Sequence, residues 1–147
     1  MLPKYKQKGF TMLELVLVVA MIGLLASFSI NVSSGVIWRT DLHQAQSTTV
    51  SSLRQAQILA QSGVENVDWG VHIEESTVTI FQGNDFENRD ETKDERYDLG
   101  SSLSEETIDV VFHRLSGIPY DSPTEINLTA RGGTVTLTVN SLGTINY

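Results

Sequence analysis

The chain has 147 residues, no cysteine and a formal net charge of −8, which allows one small globular domain and excludes a disulfide framework, a thiolate metal site and a thiol nucleophile. Three of its ten basic side chains, Lys4, Lys6 and Lys8, precede Gly9, so the remainder sets seven basic against eighteen acidic groups, a net of −11. A surface of that sign repels phosphate backbones, and DNA is not an expected partner.

From Phe10 to Ile30 the sequence reads FTMLELVLVVAMIGLLASFSI. As a helix it would be roughly 31 Å long, close to the hydrocarbon thickness of a bilayer. Lysines precede this run and no acid does, so the positive-inside bias places residues 1–9 in the cytoplasm and the rest of the chain outside. A secretory signal peptide shares the charge sign but has a shorter apolar core, and Ala26-Ser27-Phe28 imitates its cleavage site only weakly. Neither that reading nor a plain membrane anchor explains Glu14, an ionisable group within the apolar run that calls for a partner. Cleavage between Gly9 and Phe10 would supply one. The new α-amino group would lie one helical turn from Glu14, at i and i+4, and a neighbouring copy's amine would serve equally well.

Lys8-Gly9-Phe10-Thr11-Met12-Leu13-Glu14, followed by the long apolar run, resembles the class III leader of type IV pilins and type II secretion pseudopilins. That resemblance implies cleavage between Gly9 and Phe10 by a prepilin peptidase, N-methylation of Phe10, and a subunit-alignment role for Glu14. It also implies membrane lipid, other pilins or pseudopilins met through the N-terminal helix, and an inner-membrane assembly platform as partners. Met12 replaces a common leucine or isoleucine with little change of volume. Asn31 stands where major pilins often carry a helix-bending proline.

After the apolar run, Ser33-Ser34-Gly35 lowers helix propensity and Val36-Ile37-Trp38 forms an interface-friendly patch. Leu42, Ala45, Thr49, Leu53, Ala56 and Ala60 recur at steps of three or four, the stripe of an amphipathic helix, and Gly63 is its expected stop. The glutamines at 44, 46, 55, 57 and 61 read as a solvated flank of that helix, with a polar interaction face as the alternative.

Beyond Gly63 the period changes to two. Val71 and Ile73, Val78 and Ile80, Ile108, Val110 and Phe112, Ile126, Leu128 and Ala130, and Val135, Leu137 and Val139 predict antiparallel strands with one buried face, which the helix would cover. Arg131-Gly132-Gly133 predicts the turn between the last two long strands, and residues 144–147 a short final strand. The expected class is α+β, divided into a leader at 1–9, a transmembrane half-helix at 10–30, an amphipathic half-helix at 31–63 and a β-rich head at 64–147.

Leu53-Arg54-Gln55-Ala56-Gln57-Ile58-Leu59-Ala60 at the helix end, then Trp69-Gly70-Val71, Val111-Phe112-His113-Arg114-Leu115-Ser116-Gly117 and Val139-Asn140-Ser141-Leu142-Gly143-Thr144-Ile145 in the head, in this order, are similar to segments of H-type minor pseudopilins and FimT-like minor pilins. The resemblance implies a minor subunit that primes, caps or punctuates a pilus, secretion or competence filament, with a filament-tip adhesin or DNA-uptake receptor as the alternative. Thr144 stands where DNA-binding members often carry arginine, which with the acidic head argues against DNA.

Residues 84–98 hold seven carboxylates and three basic groups. They read as a solvated, mobile loop between strands, with Asp85, Glu87 and Asp90 as weak calcium candidates because the EF-hand spacing is missing. His43, His72 and His113 are isolated and suggest no metal site. No nucleophile elbow, Ser-x-x-Lys or phosphate-cradling loop is present, so neither an enzyme nor a cofactor is expected.

Overall fold

The computed structural model describes residues 9–29, 33–104, 106–130 and 133–147. The leader residues 1–8, residues 30–32 with Asn31, and the Arg131-Gly132 part of the expected turn lie outside them. The chain divides into two compact units, residues 1–36 and 37–147.

The first unit contains α1, Met12–Ser29, and the start of α2, Ser33–Ser62. Helix α2 runs through Gly35, so the weak propensity of Ser33-Ser34-Gly35 delays nothing. The described residues of the second unit contain the rest of α2 and eight strands: β1 Trp69–Glu74, β2 Thr77–Gln82, β3 Glu95–Asp98, β4 Leu103–Ser104, β5 Ile108–Phe112, β6 Thr124–Ala130, β7 Gly133–Val139 and β8 Ile145–Asn146. They form two antiparallel sheets, ordered β3-β2-β1-β5 and β4-β6-β7-β8.

Leu42, Ala45, Thr49, Leu53, Ala56 and Ala60 are all buried, as the stripe predicts. All but Thr49 share one core with Val71, Ile73, Val78, Ile80, Val110 and Phe112 of the first sheet and Ile126, Leu128, Leu137, Val139 and Ile145 of the second. Alanine at three of the six helix positions keeps that face flat. Leu53, with no exposed surface, contributes about 1.5–3 kcal/mol by burial.

The end of α2 is held by two turns from distant parts of the chain. Gly63 takes the left-handed conformation at φ 67°, where the helix was expected to stop, and Leu115 N–H donates to the Ala60 carbonyl at 2.8 Å. Gln57 Nε2 donates to the carbonyls of Gly117 and Gly143, at 3.0 and 3.1 Å. Gln55 Nε2 donates to Glu95 Oε2 at 2.8 Å. These two glutamines are therefore half-buried ties and not part of a solvated flank.

Sheet β3-β2-β1-β5 departs from the one-buried-face expectation. In β1 and β2 the residues between the core positions are buried as well: Gly70, His72, Thr79 and Phe81. The acidic segment expected to be a mobile loop covers His72 and Phe81. Phe86 stacks on His72 with ring centroids 3.5 Å apart and meets Phe81 edge-on at 5.3 Å. Phe81 itself lies over its cross-strand partner Gly70, where a β-carbon would approach the ring to within 2.4 Å. Residues 95–98 are not loop at all. They form β3, an edge strand with every residue exposed, whose charged composition hides the period-two signal.

Residues 84–94 form a strap, fixed by its own Arg89 and Lys93 and by Arg96 of β3. Arg89 Cζ lies 3.6 Å from the Phe86 ring centroid, its Nη1 donates to the Phe86 carbonyl at 2.6 Å, and its Nε donates to Asp94 at 3.0 Å. Asp94 is almost fully buried and also receives Arg96 Nη2 at 3.2 Å, so the buried carboxylate has the pairing that burial demands. Farther along, Lys93 Nζ donates to Glu65 Oε1 at 2.8 Å and Gln82 Nε2 to Glu65 Oε2 at 2.6 Å.

The Lys93 hydrogen bond, then the Gln82 one, holds the Glu65 carboxyl below its ordinary 4.5, and Glu65 holds the Lys93 ammonium above its ordinary 10.5. A depressed acid stabilises above its unfolded value and loses that as pH falls through the folded one. A raised amine does the reverse at high pH, so the tie is complete between about 4.5 and 10.5. NMR titration should place the Glu65 midpoint below 4.5, and Lys93→Met should move it upward.

Gly143→Ala should destabilise the domain by about 2–4 kcal/mol, because the backbone is at φ 77° and the added β-carbon would meet Gln57 Nε2 at 2.3 Å and the Gly117 carbonyl at 2.8 Å. Gly100→Ala, at φ 68° with open space around it, should cost only about 1 kcal/mol. Urea midpoints of the two variants separate collision from backbone strain.

Candidate functional site

Helix α1 carries one charged residue, Glu14, in an otherwise apolar sequence. From Met12 to Leu25 its large aliphatic side chains are exposed, from 45% at Val18 to 85% at Met12, with Phe10 just ahead of it also exposed. A helix apolar all round belongs inside lipid or among other helices. Among the described residues, however, no helix is long and apolar enough to cross a membrane. Eighteen residues of α1 give about 27 Å, and the 10–30 span read from the sequence continues through Ile30, outside the described residues.

Gly9 and Phe10 precede the helix in irregular backbone, and a β-carbon on Gly9 would meet nothing within 4 Å. Thr11 is the helix cap. Its Oγ1 accepts from Glu14 N–H at 3.3 Å, and its carbonyl accepts from Leu15 N–H at 3.2 Å. Sequence reasoning passed over Thr11, although Thr11-Met12-Leu13-Glu14 has the T-x-x-E spacing of a capping box. The cap fixes where the helix begins, placing Phe10 immediately outside the first turn and Glu14 within it. A carboxylate in a first turn opposes the positive end of the helix dipole.

Residues 4–30 match the prokaryotic N-terminal methylation motif. The chain carries a prepilin-type N-terminus. No curated protein and no solved structure matches it, so the match rests on under a fifth of the sequence. The methylation motif supports a type IV pilin or pseudopilin kind of subunit, made as a membrane-anchored precursor, handled by a prepilin peptidase and assembled with other pilins. That family is structural, not enzymatic. The α+β architecture of helix and antiparallel sheets is consistent with it.

In the second unit, residues from distant parts of the chain meet at the end of α2. Gln57, Gly117 and Gly143 come together there, and Gly70 lies under Phe81. Their contribution is to hold the fold.

The weak calcium candidates do not converge. Asp85 accepts from Glu87 N–H at 3.1 Å and from the Asn88 amide, Asp90 accepts from Thr92 N–H at 3.0 Å and from its hydroxyl at 2.6 Å, and Glu87 is exposed. The Thr92 hydroxyl hydrogen bond, more than any charge, holds the Asp90 carboxyl below its ordinary range. Among the described residues no group of three His, Asp or Glu side chains could hold a metal ion. His43 is exposed on α2, His113 stacks on Tyr120 with centroids 3.6 Å apart, and His72 lies under Phe86, so the histidines stay apart.

Thr11→Ala removes the cap and should cost the first turn about 1 kcal/mol. Amide exchange at Glu14 in lipid nanodiscs should then accelerate about fivefold, with exchange at Val78 and Leu137 unchanged.

Proposed function

We infer that this chain is a minor pilin or pseudopilin, a structural or priming subunit of a type IV pilus or type II secretion-like filament. The peptidase cuts between Gly9 and Phe10, Phe10 is N-methylated, and the apolar helix holds the precursor in the cytoplasmic membrane with its N-terminus in the cytoplasm and its head outside. An inner-membrane assembly platform then draws the subunit into the filament through the same helix, with Glu14 setting its alignment. The observation that carries this reading is the methylation motif at residues 4–30, with Glu14 as the one charge on a helix whose large aliphatic side chains are exposed from Met12 to Leu25.

In a low-dielectric setting a single carboxylate is costly without a cation. The Phe10 amine, in the same copy or the next, is the cation that cleavage provides. A filament-tip binding role is a second reading, favoured by the polar cleft described below. The acidic balance of the chain after Gly9 opposes a DNA ligand.

Co-expression with a prepilin peptidase should remove residues 1–9, and intact mass reads the result. A full-length mass, or a cut after Ala26 or Ser29, would remove the basis of the assignment. Glu14→Ala should leave cleavage intact while lowering the fraction of mature protein in sheared filaments about tenfold, the loss expected from one charge-assisted contact. Equal incorporation of both proteins would eliminate the alignment role.

A further inference from the structure

A cleft of about 430 Å³ opens on the outer face of sheet β3-β2-β1-β5, between the strap and the β1–β2 hairpin. Its floor is Thr77 and Thr79 of β2, with His72 of β1 opposite Thr79 in register. One side presents the carboxylates of Glu74 and Glu75, the other the guanidinium groups of Arg89 and Arg96. Phe86 also lines the cleft.

We propose that this cleft is a binding site for a neutral saccharide. The proposal stands independently of the filament reading.

Three features select that chemistry. First, most of the charges around the cleft are paired within the protein, Arg89 and Arg96 with Asp94 and His72 with Asp109 and Glu74, which leaves no surplus of positive charge to draw in a simple anion. An anion such as phosphate would meet Glu74 and Glu75. It would also find Arg89 already committed to Asp94 and to the Phe86 carbonyl, and Arg96 to Asp94. A cation would meet the arginines. Second, carboxylate, guanidinium and hydroxyl together offer acceptors, donors and groups that do both, the mixture that a polyol with alternating donor and acceptor hydroxyls satisfies. Third, the cleft lies on a sheet face. A peptide added to a sheet uses the free backbone groups of an edge strand, and β1 and β2 are interior strands, each paired on both sides.

The site is built before any ligand arrives. His72 is held by Asp109 at 2.6 Å through Nδ1 and lies 3.5 Å from Glu74 through Nε2, with its side chain nine-tenths buried. Arg89 is equally buried and rests on Phe86. Thr79 is 3% exposed. Both faces of Phe86 are occupied, one by His72 and one by Arg89, which leaves no aromatic platform for a sugar ring. Recognition therefore rests on hydrogen bonds alone, and affinity should be roughly millimolar.

The test is saturation-transfer NMR on the full chain in lipid nanodiscs, free of glucoside detergent, against a panel of neutral mono- and disaccharides. At least one sugar should receive saturation. Thr79→Val and Arg96→Gln, with circular dichroism matching wild type, should each weaken its binding about fivefold to tenfold, whereas Glu87→Gln on the exposed strap should leave it unchanged. Absence of transfer to every sugar would overturn the proposal. So would transfer undiminished in both variants, or displacement of the sugar by inorganic phosphate or by lysine at equal concentration.

Discussion

Both sheets close on the same strip of one helix, and that shared burial is the constraint on which the second unit depends. Ala45, Ala56 and Ala60 leave α2 flat enough for two sheets to approach, while Leu42, Val50 and Leu53 fill the space between. A larger side chain at any of the three alanine positions would push a sheet away instead of improving the packing. The helix then needs its far end secured, because backbone carbonyls there have no partner within the helix. Leu115 N–H answers one of them, and Gln57 draws in the turns at Gly117 and Gly143. Leu115 does this from the left-handed conformation, at φ 66°, with its side chain largely exposed, a strained position for a non-glycine residue.

The strap is the second organising element. Seven carboxylates in fifteen residues would ordinarily remain solvated. Here one aromatic ring among them is inserted between a histidine and an arginine, and the buried Arg89–Asp94 pair keeps the strap in place. The cost of desolvating that pair is met by the second arginine on Asp94 and by the carbonyl of Phe86. The outer face of β1 and β2 is thereby covered at one end and left open as a cleft at the other.

Much of this was legible in the sequence because it is written in periodicity. The stripe of α2, its stop at Gly63, and the five longer strands each announce themselves through apolar residues at the right spacing. Strands β3 and β4 did not, since one is an exposed charged edge and the other is two residues long. The burial of both faces of β1 was hidden for a different reason. His72 and Gly70 look like outward polar or neutral positions, but Phe86 from a remote segment stacks on His72 and Phe81 of the neighbouring strand lies over Gly70. Phe86 standing alone between Asp85 and Glu87 was the one signal available. At the N-terminus, Gly9, Phe10 and Glu14 could be singled out from chemistry and resemblance, whereas the capping role of Thr11 was overshadowed by the glutamate beside it.

The exposed edge of β3 has a further consequence. A sheet margin presents unpaired backbone groups to any other strand that comes near, and subunits arrayed along a filament hold their sheets at very high local concentration. Glu95, Arg96 and Asp98 line that margin with charge, and Tyr97 directs its hydroxyl to Glu95 at 2.9 Å. Two such margins brought together would bury carboxylates against carboxylates. The edge thus acts as a gatekeeper against aggregation, letting a crowded array of these domains stay a set of separate folds instead of fusing into a continuous ribbon.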